Sequence, residues 1–174
     1  MAPSTQQVAT GATPPSQPAA GAFAIIRLRG LQNINPKVKD TLKYLRLTRI
    51  NHCVVLPQTE TTRGMLQVAK DYVTWGELDA HTLAGVIRSR GRVVGDKPLT
   101  DAHVAATTPY KTIDELAAAI TAGKATYHTI PDVKPLFRLH PAKKGLEGIK
   151  RSVQAGGALG YRGAGINDLL GRMT

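Results

Sequence analysis

Residues 23–76 read FAIIRLRGLQNINPKVKDTLKYLRLTRINHCVVLPQTETTRGMLQVAKDYVTWG, and the order of elements in this stretch decides the fold. Phe23, Ile25, Ile26 and Leu28 form an apolar run that stops at Gly30, which predicts a strand over Phe23–Arg29 with Arg27 and Arg29 on one face. Asn35 then supplies a capping side chain, and Pro36 occupies the first helical position, where its missing N–H costs nothing, so a helix is predicted to about Arg46. Val38, Leu42 and Leu45 form its apolar stripe, and Lys39, Lys43 and Arg46 repeat that spacing on an adjoining stripe as a basic ridge. Cys53–Leu56 is a β-rich apolar run closed by Pro57. Thr59 caps a second helix expected to turn Met65, Val68, Ala69 and Tyr72 inward, and Tyr72–Trp75 is a short strand ended by Gly76. The sum is β-α-β-α-β, an α/β (α+β) sandwich with both helices on one sheet face.

Outward from this core the composition changes on both sides. Residues 1–22 are rich in Ala, Pro, Thr, Ser and Gln and carry no charged side chain, so they are expected to be a disordered leader. Past residue 78, Asp79 opens a helix bearing Leu83, Val86 and Ile87, and Thr112 with Glu115 forms a capping box for a helix ending near Gly123. Residues 79–133 thus read as an appended helical subdomain. Residues 134–174 read as a basic, glycine-rich extension. Pro141–Gly165 holds seven glycines among its cations and too few apolar residues to fold alone, so its shape is expected to come from a partner. Ile166, Leu169, Leu170 and Met173 recur at helical spacing and predict a last short helix docked on the body.

Charge narrows the partner. The chain of 174 residues carries 23 Lys and Arg against 12 Asp and Glu, net +11. Phe23–Ile50 and Lys134–Thr174 each carry net +6, whereas the stretch between them is close to neutral at −1. Two basic blocks around a balanced middle point to one footprint for a polyanion. The longest apolar runs fall far short of the roughly 20 residues that a spanning helix needs, so no membrane partner is expected. The first residues lack the charged and apolar regions of a secretory signal, and Cys53 is the single cysteine, which together suit a reducing, cytoplasmic setting.

Leu45-Arg46-Leu47, Arg49-Ile50-Asn51-His52-Cys53-Val54-Val55, Pro57, Thr59 and Arg63-Gly64-Met65 together resemble one known family. It is that of the large-subunit ribosomal protein numbered thirty, in its longer archaeal and eukaryotic form, whose eukaryotic counterpart is numbered seven. Trp75-Gly76-Glu77, Leu136-Phe137-Arg138-Leu139-His140-Pro141, Gly156-Gly157-Ala158-Leu159-Gly160 and Ile166-Asn167-Asp168-Leu169-Leu170 extend the resemblance to the end of the chain and select that longer form. The resemblance implies a ferredoxin-like core bound to large-subunit rRNA among neighbouring ribosomal proteins, with no catalysis and no cofactor. The uncharged leader departs from the family pattern. So does Lys143-Lys144-Gly145, where a pair of glycines is usual.

The candidate RNA-binding residues are Arg27, Arg29, Lys37, Lys39, Lys43, Arg46 and Arg49 in the first block, and Arg138, His140, Lys143, Lys144, Lys150, Arg151 and Arg162 in the second. His52 and Cys53 are adjacent in a strand and point to opposite faces, so they cannot act as a nucleophile and its base; Cys53 reads as core and His52 as a candidate RNA contact. Arg63-Gly64 reads either as bare backbone open to phosphate or as close helix-to-sheet packing. Trp75 and Phe137 read as packing residues first and as stacking platforms second. The glycines of 156–165 follow no convincing strand, which argues against a dinucleotide loop. His81, His103, His128 and His140 lack metal-ligand spacing, and no metal or catalytic residue is expected. Neither a small-molecule substrate nor self-association is expected. A non-ribosomal RNA- or DNA-binding factor, of the chromatin or RNA-processing kind, is the alternative that the same charge blocks allow.

Overall fold

The computed structural model describes residues 19–174, with side chains from Gly21 onward. The leader expected over 1–22 therefore lies largely outside the described residues, and its last four belong to the first strand. Five strands and six helices follow in the order β1 (Ala19–Arg27), α1 (Pro36–Tyr44), β2 (His52–Gln58), α2 (Glu60–Ala69), β3 (Val73–Glu77), α3 (Ala80–Arg90), α4 (Asp101–Thr107), α5 (Ile113–Thr121), β4 (Phe137–Arg138), β5 (Gly160–Tyr161) and α6 (Ile166–Met173). The predicted caps form: Asn35 accepts from the Lys37 amide, Thr59 from Thr62 and Thr112 from Glu115. Helix α1 stops at Tyr44, however, and Arg46 takes a left-handed φ of +59°, so Arg46 stands beyond the helix end instead of on its stripe.

The sheet order is β4-β2-β1-β3-β5. Strand β1 lies antiparallel between β2 and β3, which makes β2-α2-β3 a split β-α-β unit and the fold ferredoxin-like. Pro57 does not close β2; it pairs with Ala22, and β4 meets β2 only at His52 and Cys53, so among the described residues no strand on that side needs the N–H that Pro57 lacks. Gly76 likewise does not end β3 but pairs with Ala24. A Cβ there would stand 2.0 Å from the carbonyl oxygen of Gly163, so glycine is required for the C-terminal backbone to close on the strand.

Side chains of β1 alternate between two cores. Phe23 and Ile25 pack with Leu42, Leu45 and Leu47 from α1 and its following turn, with Val54, and with Leu66 and Ala69 of α2. The inward row of α2 is Thr62, Leu66 and Ala69; Val68, expected inside, is 48% exposed, and Tyr72 lies past the helix end. Ala24, Ile26 and Leu28 face the other way, with Cys53 and Val55, into a larger core made by α3, α5 and α6. The helices expected as an appended subdomain thus form the second layer of the sandwich, sharing one core with β1 and β2.

The glycine-rich segment also takes a defined course. Residues 160 and 161 add β5 parallel to β3, the Arg162 amide donates to the Trp75 carbonyl, and the Thr74 hydroxyl donates to the Gly160 carbonyl at 3.0 Å. Ala158 and Leu159 are buried, and a Cβ on Gly157 would sit 2.2 Å from the carbonyl oxygen of Arg151. At residues 160–162 the sheet edge supplies backbone partners from within the chain, while residues 147–152 with their cations stay exposed. The terminal helix docks as predicted, with Ile166, Leu169, Leu170 and Met173 all buried.

Candidate nucleic-acid interface

Helix α1 projects Lys37, Lys39 and Lys43 into solvent, and Arg46 and Arg49 follow on the exposed turn. Among the described residues, no ion pair engages any of these five. Their nearest aromatic in sequence is Tyr44, 79% exposed at the end of the helix, which sequence reading passed over. Some cations outside this block are paired: Arg88 with Asp114, Lys134 with Asp96, Arg172 with Asp168, and Arg138 lies 4.0 Å from Asp96.

Arg27 and Arg29 do not share a role. Arg27 is 2% exposed, and its guanidinium donates to the carbonyls of Arg29 (2.8 Å), Leu47 (2.9 Å) and Thr48 (2.7 Å). It ties the turn after α1 to the central strand and has almost no surface to offer a phosphate. Its position on an otherwise inward-facing strand residue, four after Phe23, was the available signal. Strand β1 stops at Arg27, short of the expected Arg29, which is half-buried two residues past it, donates to the Asp71 carbonyl at 3.1 Å, and lies 5.0 Å from the centroid of the Tyr72 ring.

The two basic blocks meet where β4 joins β2. His52 and Arg138 are cross-strand partners, and the Leu139 amide donates to the Asn51 carbonyl. Burial, then the charges of Arg138, Arg49 and Arg27, hold the His52 imidazole below its ordinary pKa, so it is neutral at physiological pH. It is only 7% exposed, with Nδ1 lying 3.4 Å from the Thr48 hydroxyl. Cys53 points to the opposite core, where burial pushes its thiol up to about 12; the two residues form no catalytic pair.

On α2, Arg63 and Gly64 are exposed, and a Cβ on Gly64 would meet nothing within 4 Å, so close packing is not what places glycine there. His140, Lys143, Lys144, Lys150 and Arg151 are exposed along the C-terminal segment. Arg162 is half-buried, its pKa lowered chiefly by burial, and it donates to the Ala158 carbonyl at 3.4 Å. Phe137 is fully buried, the packing role expected of it, with its ring 4.8 Å from that of Tyr127, whereas Trp75 is only half-buried beside Tyr161. Sequence reading did not single out Lys70 or Tyr161; an aromatic next to Arg162 within a glycine-rich cationic segment was the overlooked cue. Among the described residues, no group of three or more His, Cys, Asp or Glu is placed to hold a metal ion, and no helix is long and apolar enough to cross a membrane.

Cations left without carboxylate partners, on a split β-α-β sheet covered by helices on both faces, place the chain among α/β proteins of ferredoxin-like fold that present a cationic surface. Residues 23–73 match the family described as Ribosomal protein L30p/L7e. The chain is 50% identical over 151 residues to the large ribosomal subunit protein uL30 of Methanoculleus marisnigri, covering 87% of this chain and 99% of that one. With its counterpart in Archaeoglobus fulgidus the identity is 51% over the same coverage. The chain belongs to the L30p/L7e family of ribosomal proteins.

Proposed function

We propose that the chain is a structural constituent of the large ribosomal subunit that binds and stabilises folded rRNA, working in the cytoplasmic ribosome and not as an enzyme. The observation that carries this reading is the set of exposed cations Lys37, Lys39, Lys43, Arg46 and Arg49, which have no ion pair among the described residues, joined at the β2–β4 pair by the exposed Arg138 of the second block, which lies 4.0 Å from the Asp96 carboxylate. Each phosphate met by such a cation releases condensed counterions, which contributes a large, salt-dependent share of nucleic-acid affinity. In this reading residues 23–78 are the docking core, 79–133 brace it from behind, and 134–174 carry the second set of contacts through His140, Lys143, Lys144, Lys150, Arg151 and Arg162. Arg29, His52, Arg63 and Gly64 border the surface, and Arg27 supports it from within. The partners are large-subunit rRNA and adjoining ribosomal proteins. No membrane, small-molecule substrate or second copy of the chain is required.

Sedimentation of a native lysate containing the tagged chain tests this directly. The chain should run with large subunits at one copy per particle through a sucrose gradient. Recovery in chromatin or in small RNA-processing complexes, with large subunits lacking it, would overturn the assignment.

A further inference from the structure

A cleft of about 630 Å³ opens between the end of α2, the edge strand β5 and the segment that precedes it, on the side of the molecule away from β4. Its size falls within the range of sites that hold one small ligand. Three cations line it: Arg29 from the first basic block, Lys70 from the end of α2, and Lys150 from the second block. Three aromatics line it as well, Tyr72, Trp75 and Tyr161, and Asp71 is the one carboxylate in the wall.

The rings are held in place and left partly bare. Trp75 and Tyr161 are direct partners on adjacent parallel strands, so both project to the same side of the sheet. The Tyr161 hydroxyl donates to the Glu77 carboxylate, which fixes the ring at one end while the residue stays 49% exposed. The ring centroids are 6.4 Å apart with planes inclined at 51°, so neither ring covers the face of the other. Arg63 and Gln67 of α2 border the same two rings in an adjoining hollow, continuing the cationic rim. The contrast with Tyr127 and Phe137, both fully buried, shows how aromatics serve as packing in this chain. Tyr161 is not needed in the core, and the residues around it are the wrong chemistry for an apolar partner.

We propose that this cleft receives one unpaired nucleotide of the bound RNA, its base stacked on the Tyr161 ring with the tilted Trp75 ring at its edge and its phosphate met by Arg29, Lys70 and Lys150. The inference rests on the RNA-binding reading above and adds a second mode to it: a stacking contact with a base that has left its helix, distinct from phosphate neutralisation by α1. Planar rings accept any base face, so the site favours unpaired over paired RNA more than one sequence over another. Backbone groups and Ser152 and Gln154 in the wall can add hydrogen bonds to base edges. A nucleotide suits this lining better than a peptide because it brings a phosphate and a flat aromatic surface in one unit.

Trp75 is the only tryptophan of the chain, so its emission reports on this cleft alone. The full-length protein is titrated with a labelled single-stranded RNA octanucleotide and with a duplex of the same sequence, following RNA anisotropy and Trp75 fluorescence together. The octanucleotide should quench Trp75 saturably, and the duplex should bind without doing so. Tyr161→Ala should weaken octanucleotide binding by about 10-fold or more, in line with loss of one stacked base, and leave duplex affinity within about 2-fold. Tyr161→Phe should retain the quench. Should Y161A fail to fold, Tyr161→Leu, which keeps an apolar side chain of similar reach at this half-exposed position and removes only the aromatic face, carries the same comparison. If the octanucleotide binds by anisotropy with Trp75 emission unchanged, the cleft proposal is wrong while RNA binding stands. If neither RNA binds, both readings fall. A Trp75 change that appears only on assembly with other ribosomal proteins would assign the cleft to a protein segment and overturn the nucleotide.

Discussion

The two helical layers of the sandwich solve the same packing problem and treat their cations in opposite ways. Behind the sheet, α3, α5 and α6 build the larger core, and their basic side chains are neutralised or held: Arg88 by Asp114, Arg172 by Asp168, and Arg90 by donation to the Thr174 carbonyl. In front, α1 and α2 enclose a smaller core, and the lysines of α1 have no carboxylate within ion-pair distance among the described residues. A solvated lysine that gains little from a surface ion pair loses little without one, so stability does not explain the difference. The placement of carboxylates, more than the number of lysines, separates a surface finished in itself from one left for a polyanion.

If the rear layer holds the body together, the largest stability effect should arise there. Leu169→Ala removes a fully buried side chain from α6 and should cost about 2–5 kcal/mol in urea unfolding, with the rRNA affinity of the folded protein unchanged. A loss below about 1 kcal/mol would show that α6 is an accessory to the core. The front layer should show the reverse pattern. Reversing Lys39, Lys43 and Arg46 to Glu should leave the unfolding midpoint nearly unchanged, weaken rRNA binding by about 100-fold at moderate salt, and flatten the log–log salt slope by about 2–3. The exposed Lys97, Lys111 and Lys124 are the proper control set, because reversal of Arg88 or Arg90 would break contacts that hold the rear layer. Equal losses from the two sets would abolish the distinction between the layers.

Arg27 is a cation of the front block that behaves like those behind. Arg27→Met keeps the length of the stem and removes donors from three carbonyls, and should cost on the order of 2 kcal/mol of stability with the salt slope of rRNA binding intact. A reduced slope would place Arg27 on the RNA after all. The smallest effect concerns pH. The folded chain holds His52 below its ordinary 6.5, through burial first and then the charges of Arg138, Arg49 and Arg27. The unfolded chain therefore binds the proton more readily, and stability falls as pH drops below about 6.5 until the folded imidazole is also protonated. In urea unfolding at pH 7.5 and 5.5, His52→Gln should lose less stability than the wild type; equal losses would mean that His52 titrates normally in the folded protein.

Short-range signals are legible in the chain by itself. Asn35 with Pro36, Thr59, and Thr112 are caps whose partners lie two or three residues away, and the Ile166–Met173 stripe is one helical turn repeated, so local composition was enough to place them. The β-α-β-α-β order and the two basic blocks followed from the same local reading. A further clue lay unread in β1. Phe23 and Ile25 on one parity, with Ala24, Ile26 and Leu28 on the other, form a run apolar on both faces, which marks a strand that needs a helical layer on each side. Tertiary structure alone decided that the helices of 79–133 supply that second layer. Strand parity marked Arg27 as inward-facing, but only the closed fold supplied two of its three acceptors, which lie 20 and 21 residues away, beyond any window of periodicity. Strand β5 is two residues long and forms only because β3 offers an open edge, with Thr74 meeting Gly160 across 86 residues of chain. The cleft that brings Arg29, Trp75 and Lys150 together depends on that pairing. Local sequence sets what each segment can become, but which cations stay in water and which are drawn into the fold depends on backbone groups that only the closed sheet brings within reach.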